Sequence, residues 1–148
     1  IVVVDGGRAK FLHFAGRKTG ARTIPGHVYA RSAKRTHELG RDKLPSVTQS
    51  KSPARHAIQP RVDLHEVEEE RFLKDVVRNL ELAFETDAFD ELVLLAPPKA
   101  LGFLRKIIPR RIQDKVIREA DSDYTEYDDA EITRVVIALL EAEGRKTA

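Results

Sequence analysis

Five consecutive apolar residues, Leu92-Val93-Leu94-Leu95-Ala96, stopped by Pro97-Pro98, constrain the fold more than any other stretch of the chain. A strand with one wet face alternates apolar and polar side chains, whereas an unbroken apolar run belongs to a strand covered on both faces, as at the centre of a parallel sheet. We expect this strand to extend from Phe89 to Ala96, with helices supplying both covers. Phe72, Leu73, Val76, Val77, Leu80, Ala83 and Phe84 recur at spacings of three and four, which predicts an amphipathic helix. Asp63 is placed to cap it, and Glu66, Glu68, Glu69 and Glu70 put negative charge in its first turns, where the helix dipole favours it. A second helix is expected over Lys99 to Ile108, with Pro109 opening a further short turn. A third follows Asp128-Asp129, carries Ile132, Val135, Val136, Leu139 and Leu140 on one face, and should end near Gly144.

The remaining strands are shorter signals. Ile1 to Val4 is a β-branched run closed by Asp5-Gly6-Gly7 and followed at once by Arg8 to Phe14, the pattern of a tight hairpin. Ala21 to Ala30 reads as a third strand, and its internal Pro25-Gly26 requires an edge position or a bulge. Lys115 to Ala120 is a fifth. The order β-β-β-α-β-α-β-α joins a meander to two right-handed crossovers and predicts an α/β fold. Its best match is the ribonuclease H-like mixed five-stranded sheet, strand order 3-2-1-4-5, with helices on both faces. At 148 residues the chain is expected to form a single domain, residues 1–148. Its apolar runs are far shorter than the roughly 20 residues of a membrane span, so no membrane insertion is expected. Ile1 to Val4 lacks the length and basic leader of a secretion signal, and the absence of cysteine excludes disulfides and thiolate sites, so a cytoplasmic location is expected.

The net charge of +2 conceals a division. Residues 1–61 hold 13 Lys and Arg against 3 Asp and Glu, a balance of +10, while residues 62–148 hold 13 against 21, a balance of −8. Most of the asymmetry lies in residues 31–61, where apolar content collapses and a long exposed loop is expected. Arg31, Lys34, Arg35, Arg41, Lys43, Lys51, Arg55 and Arg61 oppose only Glu38 and Asp42 there. Such density suits phosphate contacts that position a nucleic acid without reading its sequence. Tyr29 is the only aromatic nearby, which leaves base stacking little support. Two other outcomes stay open: neutralisation by the acidic half, within or between chains, and engagement of an acidic protein surface.

Catalytic constellations are sparse. A two-metal nuclease of this fold would need carboxylates on the first strand, first helix and fourth strand. Asp5 and Glu69 or Glu70 could serve, but the fourth strand ends in Ala96-Pro97-Pro98, leaving only Asp121 and Asp123 as replacements. Asp5 is read first as a turn residue. His65 and Glu69 have a ligand-like spacing of four, yet no further histidine completes a site. Ser32, Ser46, Ser50 and Ser52 lack a nucleophile-elbow setting, and Gly6-Gly7 leads into a strand, unlike a phosphate-binding loop. No catalytic residue, metal or cofactor is therefore assigned.

An ordered set of short motifs spans nearly the whole chain: Val4-Asp5-Gly6-Gly7-Arg8-Ala9, Arg35-Thr36-His37-Glu38-Leu39-Gly40-Arg41, Arg55-His56-Ala57, Asp63-Leu64-His65-Glu66, Arg71-Phe72 and Leu92 to Lys99 with Pro97-Pro98, followed by Leu101-Gly102. Together these resemble the bacterial host attachment family, proteins required for attachment to host cells. The resemblance marks Asp5, Arg8, His37, Glu38, His56, His65, Glu66, Pro97 and Pro98 as family motif positions. That family is in turn similar to the central domain of archaeal and eukaryotic peptide release factors, which implies the ribonuclease H-like sheet and a role in translation. Release factors carry Gly-Gly-Gln in the loop before the first main helix; here the loop offers Gln49-Ser50-Lys51 and Ile58-Gln59-Pro60, neither preceded by a Gly pair.

The resulting expectation is a non-enzymatic protein of the host attachment family that binds RNA or the ribosome through its basic loop. The alternatives are a divergent release-factor-like or metal-dependent hydrolase, and an attachment or scaffold protein that meets an acidic partner.

Overall fold

The computed structural model describes residues 1–31 and 63–147. Along them run β1 (Val2–Val4), β2 (Arg8–Phe14), β3 (Ala21–Ala30), α1 (Leu64–Glu85), β4 (Leu92–Leu95), α2 (Pro98–Ile107), α3 (Arg110–Gln113), β5 (Val116–Ala120) and α4 (Asp129–Thr147). The strands form one sheet in the order β3-β2-β1-β4-β5. β1 and β2 are antiparallel, as are β2 and β3, while β1 with β4 and β4 with β5 are parallel. This is the mixed α/β sheet and strand order that the sequence predicts.

Strand alternation divides the core in two. Val2 and Val4 of β1, Phe11 of β2 and Leu92 and Leu94 of β4 pack beneath Leu73, Val76 and Leu80 of α1 and Leu101 and Leu104 of α2. Val3, Leu12, Val93 and Leu95 point the other way, onto Ile132 and Val136 of α4. Val3, Leu95, Ile132 and Val136 are fully buried. Each such side chain stabilises the fold by about 1.5–3 kcal/mol relative to leaving it in water. The unbroken apolar run of β4 is explained by this double cover.

Both long helices are capped as their sequences direct. Asp63 precedes α1 and its Oδ1 accepts the N–H of His65 at 2.9 Å. At the start of α4, Asp128 Oδ1 accepts the Glu131 N–H at 2.8 Å and Glu131 Oε1 accepts the Asp128 N–H at 3.1 Å, a reciprocal capping box.

β3 pairs with β2 alone among the described strands, and the register shifts between Lys10 and Leu12, so both the edge position and the bulge follow from Pro25-Gly26. Gly26 takes φ +83°, a backbone angle that L side chains resist. The first half of the open edge is covered by α4. Thr133 Oγ1 accepts the Ala21 N–H at 2.8 Å, and Asp129 Oδ2 accepts the Thr23 N–H at 2.9 Å.

Two boundaries differ from expectation by more than one residue. Phe89 to Glu91 lie outside β4, because Phe89 packs against Phe84 of α1 with ring centroids 6.1 Å apart and closes the turn that follows Asp87. α4 continues past Gly144 to Thr147, since a glycine inside a helix costs only about 1 kcal/mol and does not oblige it to stop.

Candidate functional site

The carboxyl ends of the parallel strands are where an open α/β sheet binds ligands, and here β1 and β4 open onto the Asp5-Gly6-Gly7 turn and Pro97-Pro98. Asp5 acts as the pin of the turn. Its Oδ1 accepts the N–H groups of Gly7 at 2.8 Å and Arg8 at 2.7 Å. Its Oδ2 accepts the Thr125 hydroxyl at 2.9 Å and lies 3.4 Å from the Arg8 guanidinium. Burial pushes the Asp5 carboxyl up, but the hydrogen bonds from Gly7, Thr125 and Arg8 and the Arg8 charge together pull it below its ordinary value.

Thr125 connects this turn to the loop after β5. Besides Asp5, its Oγ1 lies 2.6 Å from Asp123 Oδ1 and receives Arg8 Nη2 at 3.0 Å. One hydroxyl proton therefore serves two carboxylates, while Arg8 donates to one of the oxygen's two lone pairs. Arg8 also lies 3.6 Å from Glu126. Asp5 and Asp123, both considered above as metal ligands, are thus brought to one point and engaged there by a hydroxyl, backbone N–H groups and a guanidinium. Among the described residues no group of three or more His, Asp or Glu residues is arranged to hold a metal ion.

Beside the turn, a cleft of about 470 Å³ separates the start of α1 from α2. Gly6, Glu66, Glu69, Pro97, Pro98 and Lys99 line it, over an apolar side formed by Leu73 and Phe103. Lys99 Nζ stands between two carboxylates, 3.9 Å from Glu66 and 3.7 Å from Glu69. The cleft thereby contains its own counterion. Glu69 lies directly over Gly6: a Cβ at that position would be 2.7 Å from Glu69 Cδ.

Arg31, the first residue of the basic stretch, meets the start of α1 at this same pole. Arg31 donates its backbone N–H to the Gly7 carbonyl at 2.7 Å, and its guanidinium donates to the His65 carbonyl at 3.3 Å, two residues beyond the α1 cap. The base of the stretch is therefore fixed beside the β1–β2 turn. Lys34, Arg35, Arg41, Lys43, Lys51, Arg55 and Arg61, and the motif residues His37, Glu38 and His56, lie outside the described residues.

Tyr29 is engaged within the protein. Its hydroxyl lies 2.8 Å from His27 Nδ1, and its ring packs edge-on against Phe11 with centroids 5.4 Å apart. That packing agrees with the limited support for base stacking.

Of the expected site residues, Asp5 and Arg8 meet in the turn, Glu66, Pro97 and Pro98 meet at the cleft, and Arg31 and His65 meet at the base of the stretch. Thr125 was not legible as a partner of Asp5, being 120 positions away. The only local signal was Asp123 two residues before a threonine, the pattern of a side-chain turn.

The class of protein defined by these features is a mixed-sheet α/β domain with a charge-compensated cleft at the carboxyl end of its parallel strands and a basic stretch rooted beside it. The chain belongs to the family of proteins required for attachment to host cells, whose sequence profile matches residues 1–136. It is also similar to the uncharacterized protein RP470 of Rickettsia prowazekii (strain Madrid E), 26% identical over 104 residues that cover 69% of each chain. The family match takes in every strand, α1 to α3 and the whole of the basic stretch. No described helix is long and apolar enough to cross a membrane.

Proposed function

We propose that this attachment-family protein works as a binding protein without catalysis of its own, its residues 31–61 engaging RNA, with the ribosome as the setting. The carrying observation is a segment of eight cations and two acids whose first residue, Arg31, is fastened to the β1–β2 turn and to the first turn of α1. Clustered Lys and Arg bind phosphates by releasing the counterions condensed on a nucleic acid.

The fate of the acidic half supports the same reading. Glu66 and Glu69 face Lys99, Glu68 pairs with Arg71, Asp75 with Arg78, Glu119 with Arg105 and Glu141 with Arg17. These six carboxylates have cation partners outside residues 32–62 and so do not need the basic stretch for theirs. Asp5 and Asp123, the acids a hydrolytic reading needs most, are committed to structural hydrogen bonds. The release-factor likeness that the sequence motifs imply would fit a ribosomal partner, and attachment to host cells would then depend on this contact indirectly.

Copurification is the test. Protein isolated by gentle lysis at low salt should carry RNA, seen as a raised ratio of absorbance at nucleic-acid over protein wavelengths that falls after ribonuclease treatment. Protein that emerges free of RNA, or that instead retains an acidic protein, would overturn the proposal.

A further inference from the structure

The acidic half of the chain contains one region of opposite sign. Residues 105–115 carry Arg105, Lys106, Arg110, Arg111 and Lys115 against the single acid Asp114. They form the corner at which α2 ends, α3 follows and β5 is about to begin. The corner is rigidly built. Gln113 Nε2 donates to the carbonyls of Arg105 at 2.8 Å and Ile108 at 2.9 Å, fastening α3 to the end of α2. Ile108 and Ile112 are buried beneath it.

Two of the five cations have acidic neighbours. Arg105 meets Glu119 at 3.2 Å, and Arg111 is 4.0 Å from Glu85 while lying over the Phe84 ring. Lys106, Arg110 and Lys115 are exposed and have no ion-pair partner among the described residues. Helix electrostatics accounts for only part of the cluster. Arg105 and Lys106 sit in the last turn of α2, where positive charge is favoured, but Lys115 lies outside both helices and α3, a single turn of four residues, has too small a dipole to call for Arg110 and Arg111. Three solvated cations on a fixed base, in a half of the chain that is otherwise acidic, suit a partner that is itself a dense array of anions.

We propose that the α2–α3 corner is a second contact for the phosphate backbone of RNA, a reading that rests on the RNA function proposed above. The cleft beside the root of the basic stretch runs along α2 from Pro98 to Lys106, so the corner stands at its far end, about 15 Å from the start of α2 at 1.5 Å per residue. An RNA held at both places runs the length of α2 and makes phosphate contacts at each end.

Fluorescence anisotropy with a labelled RNA hairpin, titrated at several salt concentrations, separates the possibilities. The full chain should bind with a steep salt dependence. A Lys106→Gln, Arg110→Gln, Lys115→Gln variant, checked for an unchanged thermal melt, should bind more weakly, with a slope of log affinity against log salt shallower by about 2–3, near 0.9 for each lost contact. A Lys18→Gln, Arg134→Gln variant removes charge from other exposed positions and should change the slope by less for each charge removed. Wild-type binding left unchanged by the corner substitutions would overturn the second contact alone. Equal loss per charge in both variants would do so as well, and so would loss of self-association or of acidic-protein binding with RNA affinity intact. No RNA binding by the wild-type chain would remove the function proposed above and this contact together.

Discussion

Gly6 holds its place by size. Neither it nor Gly7 is among the glycines with positive φ, which are Gly16, Gly20 and Gly26. What Gly6 supplies is room for Glu69, whose Cγ and Cδ lie 2.8 and 2.7 Å from where a Cβ would be. Gly6→Ala should therefore cost about 1 kcal/mol, the low end for overpacking because the obstructing side chain is flexible. Urea unfolding in a double-mutant cycle should find most of that cost absent in a Glu69→Ala background. Asp5 makes a separate prediction. Its carboxyl is held below the ordinary 3.8 by the turn N–H groups, Thr125 and Arg8, against the opposing effect of burial. A depressed carboxylate contributes stability that is complete above its unfolded value and is lost as pH falls through its folded one. The urea midpoint should accordingly fall as pH drops below 3.8, and fall less steeply in Asp5→Asn, which should also be less stable at neutral pH.

At the scale of elements, the edge strand is the informative case. An open strand edge invites pairing with other chains, and β3 is defended by side chains of α4 together with the bulge at Pro25-Gly26. Asp129 also accepts the Thr23 hydroxyl at 2.6 Å. Combining Asp129→Ala with Thr133→Val removes four hydrogen bonds, the Thr133 hydroxyl's own bond to the Asp129 carbonyl among them, and should cost about 2–4 kcal/mol. Light scattering should show concentration-dependent association that the wild type lacks. Element positions were legible because burial imposed clear periods: continuous for β4, three and four for α1 and α4. Phe89 misled because an apolar residue that plugs a turn looks, in sequence, like the first residue of a buried strand. Gly144 misled because a helix stop is a preference, and α4 overrode it. The Thr133 and Asp129 clamp was not legible, since it joins positions more than 100 residues apart.

At the scale of the whole molecule, the charge division is the property on which the proposed function rests. The sequence made the +10 half conspicuous, and the structure adds that the root of residues 31–61 lies at the carboxyl end of the parallel strands, against a turn held by Asp5. It also identifies cation partners for part of the acidic half. Averaging over the −8 half hid the α2–α3 corner, because opposite charges distant in space cancel in a sum along the chain. The cleft was only partly legible: Glu66, Pro97 and Pro98 were marked as motif positions, but their approach to Gly6 depends on the parallel pairing of β1 with β4. The most direct test of RNA engagement by the basic stretch is the salt dependence of RNA binding in Arg35→Gln, Arg41→Gln, Arg55→Gln beside the wild type. The prediction is weaker binding with a slope reduced by about 2–3, and the contradicting result is a variant that binds RNA as the wild type does at every salt concentration.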